Sequence, residues 1–178
     1  MPTQSVTLVI LGASGDLTHR LLLPGLGTLL RAKPDYDIRL IGASSDDLTE
    51  SEWRDRVRSA LTEGGCRTER ADAMAAATRF VSLNVTDPGQ MQAFLDELTE
   101  PGRPIVLYFA LPPAVTEQSV HVLSTLRLPD DLRLALEKPF GTNLATAKAL
   151  NALLASFIPE ERIFHVDHYL GKATVLNL

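Results

Sequence analysis

The chain is predicted to be an α/β protein built on a doubly wound, mainly parallel sheet, and three observations carry that prediction. Apolar, β-branched runs alternate with helix-like segments along the chain, as expected for strands joined by crossover helices. Residues 6–20, VTLVILGASGDLTHR, place a strand, a tight glycine turn and a helix start in succession. The conspicuous polar residues fall just after strand ends, where open α/β sheets bind ligands.

The elements follow in order. Residues 6–11 form the first strand. Residues 17–31 have a helical apolar pattern, which Pro24 and Gly25 are expected to kink. Residues 39–43 are a short second strand. Thr49 or Ser51 caps a helix running to about residue 63, with Glu52 in the first turn, where the helix dipole favours an acid. Residues 67–78, rich in alanine and charge, read as another helix, and 80–85 as a strand. Asp87 caps the next helix and Pro88 begins it, where a missing N–H costs nothing. Residues 105–110 are almost wholly apolar, as a strand buried on both faces must be. Pro112 and Pro113 stop that strand and lead into a helix through Ser124. Residues 132–136 are a strand ending in Glu137-Lys138-Pro139-Phe140-Gly141. Asn143 caps a helix over 144–157, and 163–166 is the last strand, before Asp167-His168-Tyr169-Leu170-Gly171-Lys172.

The first turn reads as part of a dinucleotide-binding βαβ unit. Backbone N–H groups exposed at a helix N-terminus attract an anion. Gly12 permits a conformation that a side chain obstructs, and Gly15 lets the main chain approach a pyrophosphate closely. The pattern is G-x-x-G rather than G-x-G-x-x-G, so a purely structural turn is the competing reading. Lys138 is either a surface lysine paired with Glu137 or an ammonium reaching a phosphate or hydroxyl, aimed by a tight turn at Pro139. The run at 167–172 is either a helix start capped by Asp167 or an oxyanion site. In the second case His168, Tyr169 and Lys172 donate to a group such as a phosphate monoester, and Asp167 orients a base supplied from elsewhere. His19, His121 and His165 have no such company and read as surface or filler residues.

Composition narrows the classes. A chain of 178 residues, 45% hydrophobic, suits a single globular domain over 1–178. The net charge of −5 offers no basic surface for nucleic acid or anionic membrane. Cys66 is the single cysteine, so no internal disulfide forms; this fits a reducing, cytoplasmic setting, and the thiol reads as inert. No apolar run is long enough to span a bilayer. Pro2-Thr3-Gln4-Ser5 lacks the basic start of a secretory leader, and no metal site is expected.

GASGDLTHRLLLPGL, LYFALPP, LEKPFG and VDHYLGK occur in that order, and together they closely resemble the amino-terminal domain of glucose-6-phosphate dehydrogenase. The resemblance runs from about Val6 to Leu178. It implies a Rossmann-like fold and an enzyme that oxidises C1 of glucose 6-phosphate, passing the hydride to NADP as the first step of the oxidative pentose phosphate pathway. It assigns the turn of Gly12, Ala13, Ser14, Gly15, Asp16 and Leu17 to the cofactor pyrophosphate, and Ala110, Leu111 and Pro112 to the nicotinamide side. Lys138 bridges cofactor and sugar, and counts with Asp167 among the catalytic residues. His168, Tyr169 and Lys172 hold the sugar phosphate, while Asp167 supports the catalytic histidine. The family's histidine lies well downstream, in a second domain, so this chain is expected to bind cofactor without turning over. It is expected to be either an excised domain or a naturally shortened, non-catalytic relative. The longer form is expected to be a homo-oligomer.

One stretch departs from the family. An arginine that grips the 2′-phosphate of NADP usually follows the second strand; here the chain reads Gly42-Ala43-Ser44-Ser45-Asp46-Asp47, with Ser45 at about that place. Asp46 and Asp47 repel a phosphate if they lie close, and an acid at this point favours NAD. NADP is the choice the resemblance implies; NAD or dual use is the alternative, with Arg20 or Arg54 as compensating cations.

Overall fold

The computed structural model describes residues 5–138 and 144–166. Six strands form one sheet: β1 (Ser5–Leu11), β2 (Asp37–Ser44), β3 (Arg79–Ser82), β4 (Ile105–Phe109), β5 (Leu132–Glu137) and β6 (Ile163–Val166). Their order is β3-β2-β1-β4-β5-β6 and every pairing is parallel. Among the described residues six α-helices cover the sheet: α1 (Leu23–Ala32), α2 (Glu50–Glu63), α3 (Thr68–Ala77), α4 (Pro88–Leu98), α5 (Pro113–Leu123) and α6 (Leu144–Phe157).

Period-two alternation in the strands divides the core into two layers. Ile10 and Leu40 pack with α1, α2 and α3, through Leu23, Leu30, Trp53, Val57 and Ala71. Val9, Leu11, Leu107, Phe109, Leu134 and Leu136 pack on the other face with α4, α5 and α6, through Met91, Leu95, Val120, Leu123, Leu150 and Leu154. The chain thus winds over one face from β1 and over the opposite face from β4. That reversal is the topological switch point, where a crevice opens beyond the strand ends.

Most elements lie where the sequence predicts them, and the differences have physical reasons. Thr49 is the cap of α2: its hydroxyl accepts from the Glu52 amide, and the Glu52 side chain answers at the Thr49 amide. Asp87 caps α4 by accepting from the Gln90 amide. The expected kink at Pro24 takes another form. One turn of π-helix, Thr18–Leu22, precedes α1 and puts Pro24 at the start of the regular segment. A proline has no N–H and crowds the carbonyl four residues back; widening the preceding turn relieves both. β2 is longer than expected because β1 pairs with it from Ser5↔Asp37 to Leu11↔Ala43. β3 is shorter and begins one residue earlier, at Arg79. The cap expected at Asn143 lies outside the described residues.

Candidate functional site

The crevice at the switch point is built around Gly12, the first residue after β1. It holds φ at +85°, and a Cβ there would stand 2.2 Å from the Ala110 carbonyl oxygen. Only glycine lets the end of β4 come this close. The ladder continues there, since the Ala110 amide donates to the Leu11 carbonyl at 2.9 Å. Gly15 is different: a Cβ there meets nothing nearer than the Gly12 carbonyl oxygen at 3.3 Å. Protein packing therefore excludes a side chain at Gly12 and only crowds one at Gly15.

The turn is fastened to β2. The Gly12 and Ala13 amides both donate to the Ala43 carbonyl, at 2.8 and 3.1 Å, and the Gly15 amide to the Gly12 carbonyl at 3.1 Å. Those three N–H groups are engaged within the fold. Among the described residues, the Ser14, Asp16 and Leu17 amides make no such turn or cap bond, so they are the donors an anion would find. The Thr18 hydroxyl braces the turn from inside, donating to the Gly12 carbonyl at 3.1 Å.

Beside the turn, the end of β2 brings in polar side chains. Ser14 Oγ lies 2.8 Å from Ser44 Oγ and donates to the Asp46 carboxylate. Ser44 Oγ also donates to that carboxylate at 3.3 Å. Ser45, the position singled out from the sequence, is exposed and takes no part in this cluster; the residues on either side of it do. Of the two compensating cations considered, Arg20 pairs with Asp16 at 3.6 Å. Arg54 points to the Thr78 carbonyl and to Glu50, at 3.4 and 3.2 Å. Arg56 was missed. From α2 it donates through Nη1 to the Ser14 carbonyl at 3.2 Å. Helical spacing offered a signal: Arg56 is one turn on from Trp53 and one turn before Ala60, both fully buried against the sheet.

Across the crevice, Ala110, Leu111 and Pro112 link β4 to α5, with the Thr116 amide closing on the Pro112 carbonyl at 2.9 Å. At the end of β5 the Tyr108 hydroxyl donates to the Glu137 carboxylate. Burial, and then the hydrogen bond and charge of Glu137, push the Tyr108 phenol well above its ordinary value. Glu137 is therefore tied across to β4. Lys138 is exposed, and its amide donates to the Val166 carbonyl at 3.0 Å. Its proline, Pro139, and the run of Asp167, His168, Tyr169 and Lys172 lie outside the described residues. His19, His121 and His165 are all exposed. Cys66 is buried beside α3. No group of three or more histidine, cysteine or acidic residues that could hold a metal occurs among the described residues. No helix among them is long and apolar enough to cross a membrane.

Comparison with known proteins agrees with this geometry. A family model described as glucose-6-phosphate dehydrogenase, NAD binding domain, matches residues 9–177. The glucose-6-phosphate 1-dehydrogenase of Gluconobacter oxydans is 38% identical over 183 residues, covering 96% of this chain and 37% of that protein. The crystal structure of glucose-6-phosphate 1-dehydrogenase from Mycobacterium avium superposes with a TM-score of 0.79 at 32% identity, over 94% of this chain and 37% of its own. A glucose-6-phosphate dehydrogenase solved in complex with its substrate glucose 6-phosphate gives 0.77 at 26% identity, over 99% and 40%. The chain thus spans about 37% of the length of such relatives.

Proposed function

The chain belongs to the glucose-6-phosphate dehydrogenase NAD-binding-domain family, and on that premise we propose that residues 1–178 hold the cofactor for oxidation of glucose 6-phosphate at C1. The chain is a dehydrogenase cofactor-binding domain, and its cofactor class is a nicotinamide nucleotide. The finer reading is NADP as hydride acceptor, 6-phosphogluconolactone as product, and entry to the oxidative pentose phosphate pathway in a reducing cytoplasm. The observation that supports nucleotide binding is the turn at Gly12, set at the switch point with the Ser14, Asp16 and Leu17 amides making no turn or cap bond among the described residues; the substrate, the product and NADP follow from the family resemblance.

In this reading the turn of Gly12, Ala13, Ser14, Gly15, Asp16 and Leu17 lies against the pyrophosphate, with the Ser14, Asp16 and Leu17 amides as its donors and the glycines giving it room, and Ala110, Leu111 and Pro112 flank the nicotinamide. Lys138 reaches between cofactor and sugar. Asp167, His168, Tyr169 and Lys172 serve the sugar phosphate and the supported histidine. The resemblance places no such histidine within residues 1–178, so these residues by themselves are expected to bind nucleotide without turning over; loss of a general base costs about 10²–10⁴ in rate. Homo-oligomerisation belongs to the longer protein.

Titration calorimetry with NADP and NAD, beside a steady-state assay with glucose 6-phosphate, tests this. Nucleotide binding without turnover is expected. Robust turnover would put the base within these residues, and absence of any nucleotide binding would reduce the turn to a structural feature.

A further inference from the structure

The mouth of the glycine turn holds a cation that no assignment above uses. Arg56 is half-buried, and one guanidinium nitrogen donates to the Ser14 carbonyl at 3.2 Å. A guanidinium carries five N–H donors in a flat fork, so this contact leaves most of them available. Among the described residues no carboxylate lies within ion-pair distance of Arg56. The nearest acid along the helix is Glu52, one turn back. Its carboxylate is taken by the hydroxyl and amide of Thr49, at 2.7 and 2.9 Å, which hold its pKa below the usual carboxylate range, with a smaller contribution from Arg56.

The position of Arg56 is rigidly set. Trp53, one turn earlier, is fully buried and donates through Nε1 to the Thr78 hydroxyl at 2.9 Å; that hydroxyl in turn donates to the Leu40 carbonyl at 2.8 Å. The Thr49 cap fixes the start of the same helix. Arg56 is thus delivered by α2 to the Ser14 carbonyl, and the hydroxyl of the same Ser14 lies 2.8 Å from that of Ser44. A fixed cation beside two hydroxyls suits a phosphate monoester. The Asp46 carboxylate, bonded to both hydroxyls, accepts hydrogen bonds only and suits a ribose hydroxyl instead.

We propose that Arg56 is the specificity-determining cation for the 2′-phosphate of NADP, acting with Ser14 and Ser44, and that Asp46 opposes it in favour of NAD. The proposal rests on the reading that the Gly12 turn holds the nucleotide. It makes the cofactor ratio a contest between one cation on α2 and one carboxylate after β2. Removing the cation lowers affinity for NADP alone. Removing the carboxylate's charge raises it.

Titration calorimetry of the 178-residue chain tests this with four probes: NADP, NAD, adenosine 2′,5′-bisphosphate and adenosine 5′-monophosphate. Arg56→Gln is expected to weaken NADP and the bisphosphate by about tenfold or more, with NAD and the monophosphate changed by less than about twofold. Arg56→Lys keeps the charge without the fork and is expected to fall between, which guards against a folding defect in the glutamine variant. Asp46→Asn is expected to strengthen NADP and the bisphosphate. Equal loss for all four probes in Arg56→Gln overturns the proposal, because Arg56 then only braces the Ser14 carbonyl. No change for any probe overturns it as well. In both cases binding by the unsubstituted chain leaves the nucleotide reading intact. If the unsubstituted chain binds none of the four, the nucleotide reading itself has failed and takes this proposal with it.

Discussion

At the ends of β1 and β2, the polar groups of the glycine turn are held from several elements at once. Ala43 takes two amides, Thr18 takes a carbonyl, Arg56 takes another, and Ser44 and Asp46 take the Ser14 hydroxyl. At the ends of β4 and β5 the described contacts run between neighbouring strands instead: Tyr108 holds Glu137, and the Lys138 amide donates to the Val166 carbonyl. The packing beneath also differs. β1 and β2 contribute to both core layers, but no buried residue of β4, β5 or β6 joins the layer under α1, α2 and α3. On that side Phe164 of β6 is 47% exposed, beside Ala135 in register. In the proposed reading the first region is a nucleotide end whose polar groups are held within the fold before any ligand arrives, and the second presents Lys138 toward the sugar. Preorganisation matters because ordering loose groups at binding subtracts from affinity.

The largest expected effects lie in the first region and separate its two glycines. Gly12→Val forces a branched side chain into a left-handed backbone and against the Ala110 carbonyl at 2.2 Å. The backbone alone costs roughly 1–3 kcal/mol, and the overlap adds to it, so urea denaturation should show a severely destabilised or unfolded domain. Gly15→Val should instead leave a folded domain with normal circular dichroism, because its Cβ has only one contact, at 3.3 Å. Calorimetry should then find nucleotide binding abolished, since a side chain there blocks approach of the pyrophosphate. If both variants merely destabilise, or if Gly15→Val binds normally, the first region is not a nucleotide end.

These two glycines show what was legible in the sequence. Their spacing after an apolar strand and before a helix placed the turn, because periodicity and glycine report local backbone needs directly. The alternation of elements likewise foretold the parallel sheet, and the caps at Thr49 and Asp87 were readable from hydroxyl and carboxylate positions alone. What sequence could not separate was which of the turn's amides face inward. That depends on the Ala43 carbonyl, 30 residues away in a neighbouring strand. The same limit hid Arg56, whose role depends on how α2 is laid across β2 by Trp53. Counting along the loop marks Ser45, but it cannot show that Ser44 and Asp46 are the residues that meet Ser14. The family resemblance named the motif at 167–172, but its geometry lies outside the described residues.

Ser45→Arg sharpens the comparison from the first region's rim. Ser45 is exposed, between the two residues that meet Ser14. A guanidinium there adds a charge-assisted bond to a 2′-phosphate worth roughly 1.5–3 kcal/mol. The ratio of NADP to NAD affinity should rise about tenfold or more, with little change for NAD. An unmoved ratio in calorimetry would mean that the end of β2 does not read the 2′ position, and would leave Asp46 as a brace for the turn.

The smallest expected effect tests the second region. Tyr108→Phe removes a single hydroxyl and leaves Glu137 without its donor from β4. A half-buried hydrogen bond of this kind contributes about 1 kcal/mol net after exchange with water, so the variant should unfold at slightly lower urea with an unchanged slope. The pH dependence carries more information than the size. The phenol's pKa is raised in the folded domain, first by burial and then by Glu137. The folded state therefore keeps its proton while the unfolded chain loses it above the ordinary tyrosine value of about 10. The unfolded state binds fewer protons there, so stability from this group is fully present below that pH and declines above it. The wild-type chain should lose more stability between about pH 9 and pH 11 than Tyr108→Phe does. Equal losses would show that the hydroxyl is solvated rather than locked to Glu137.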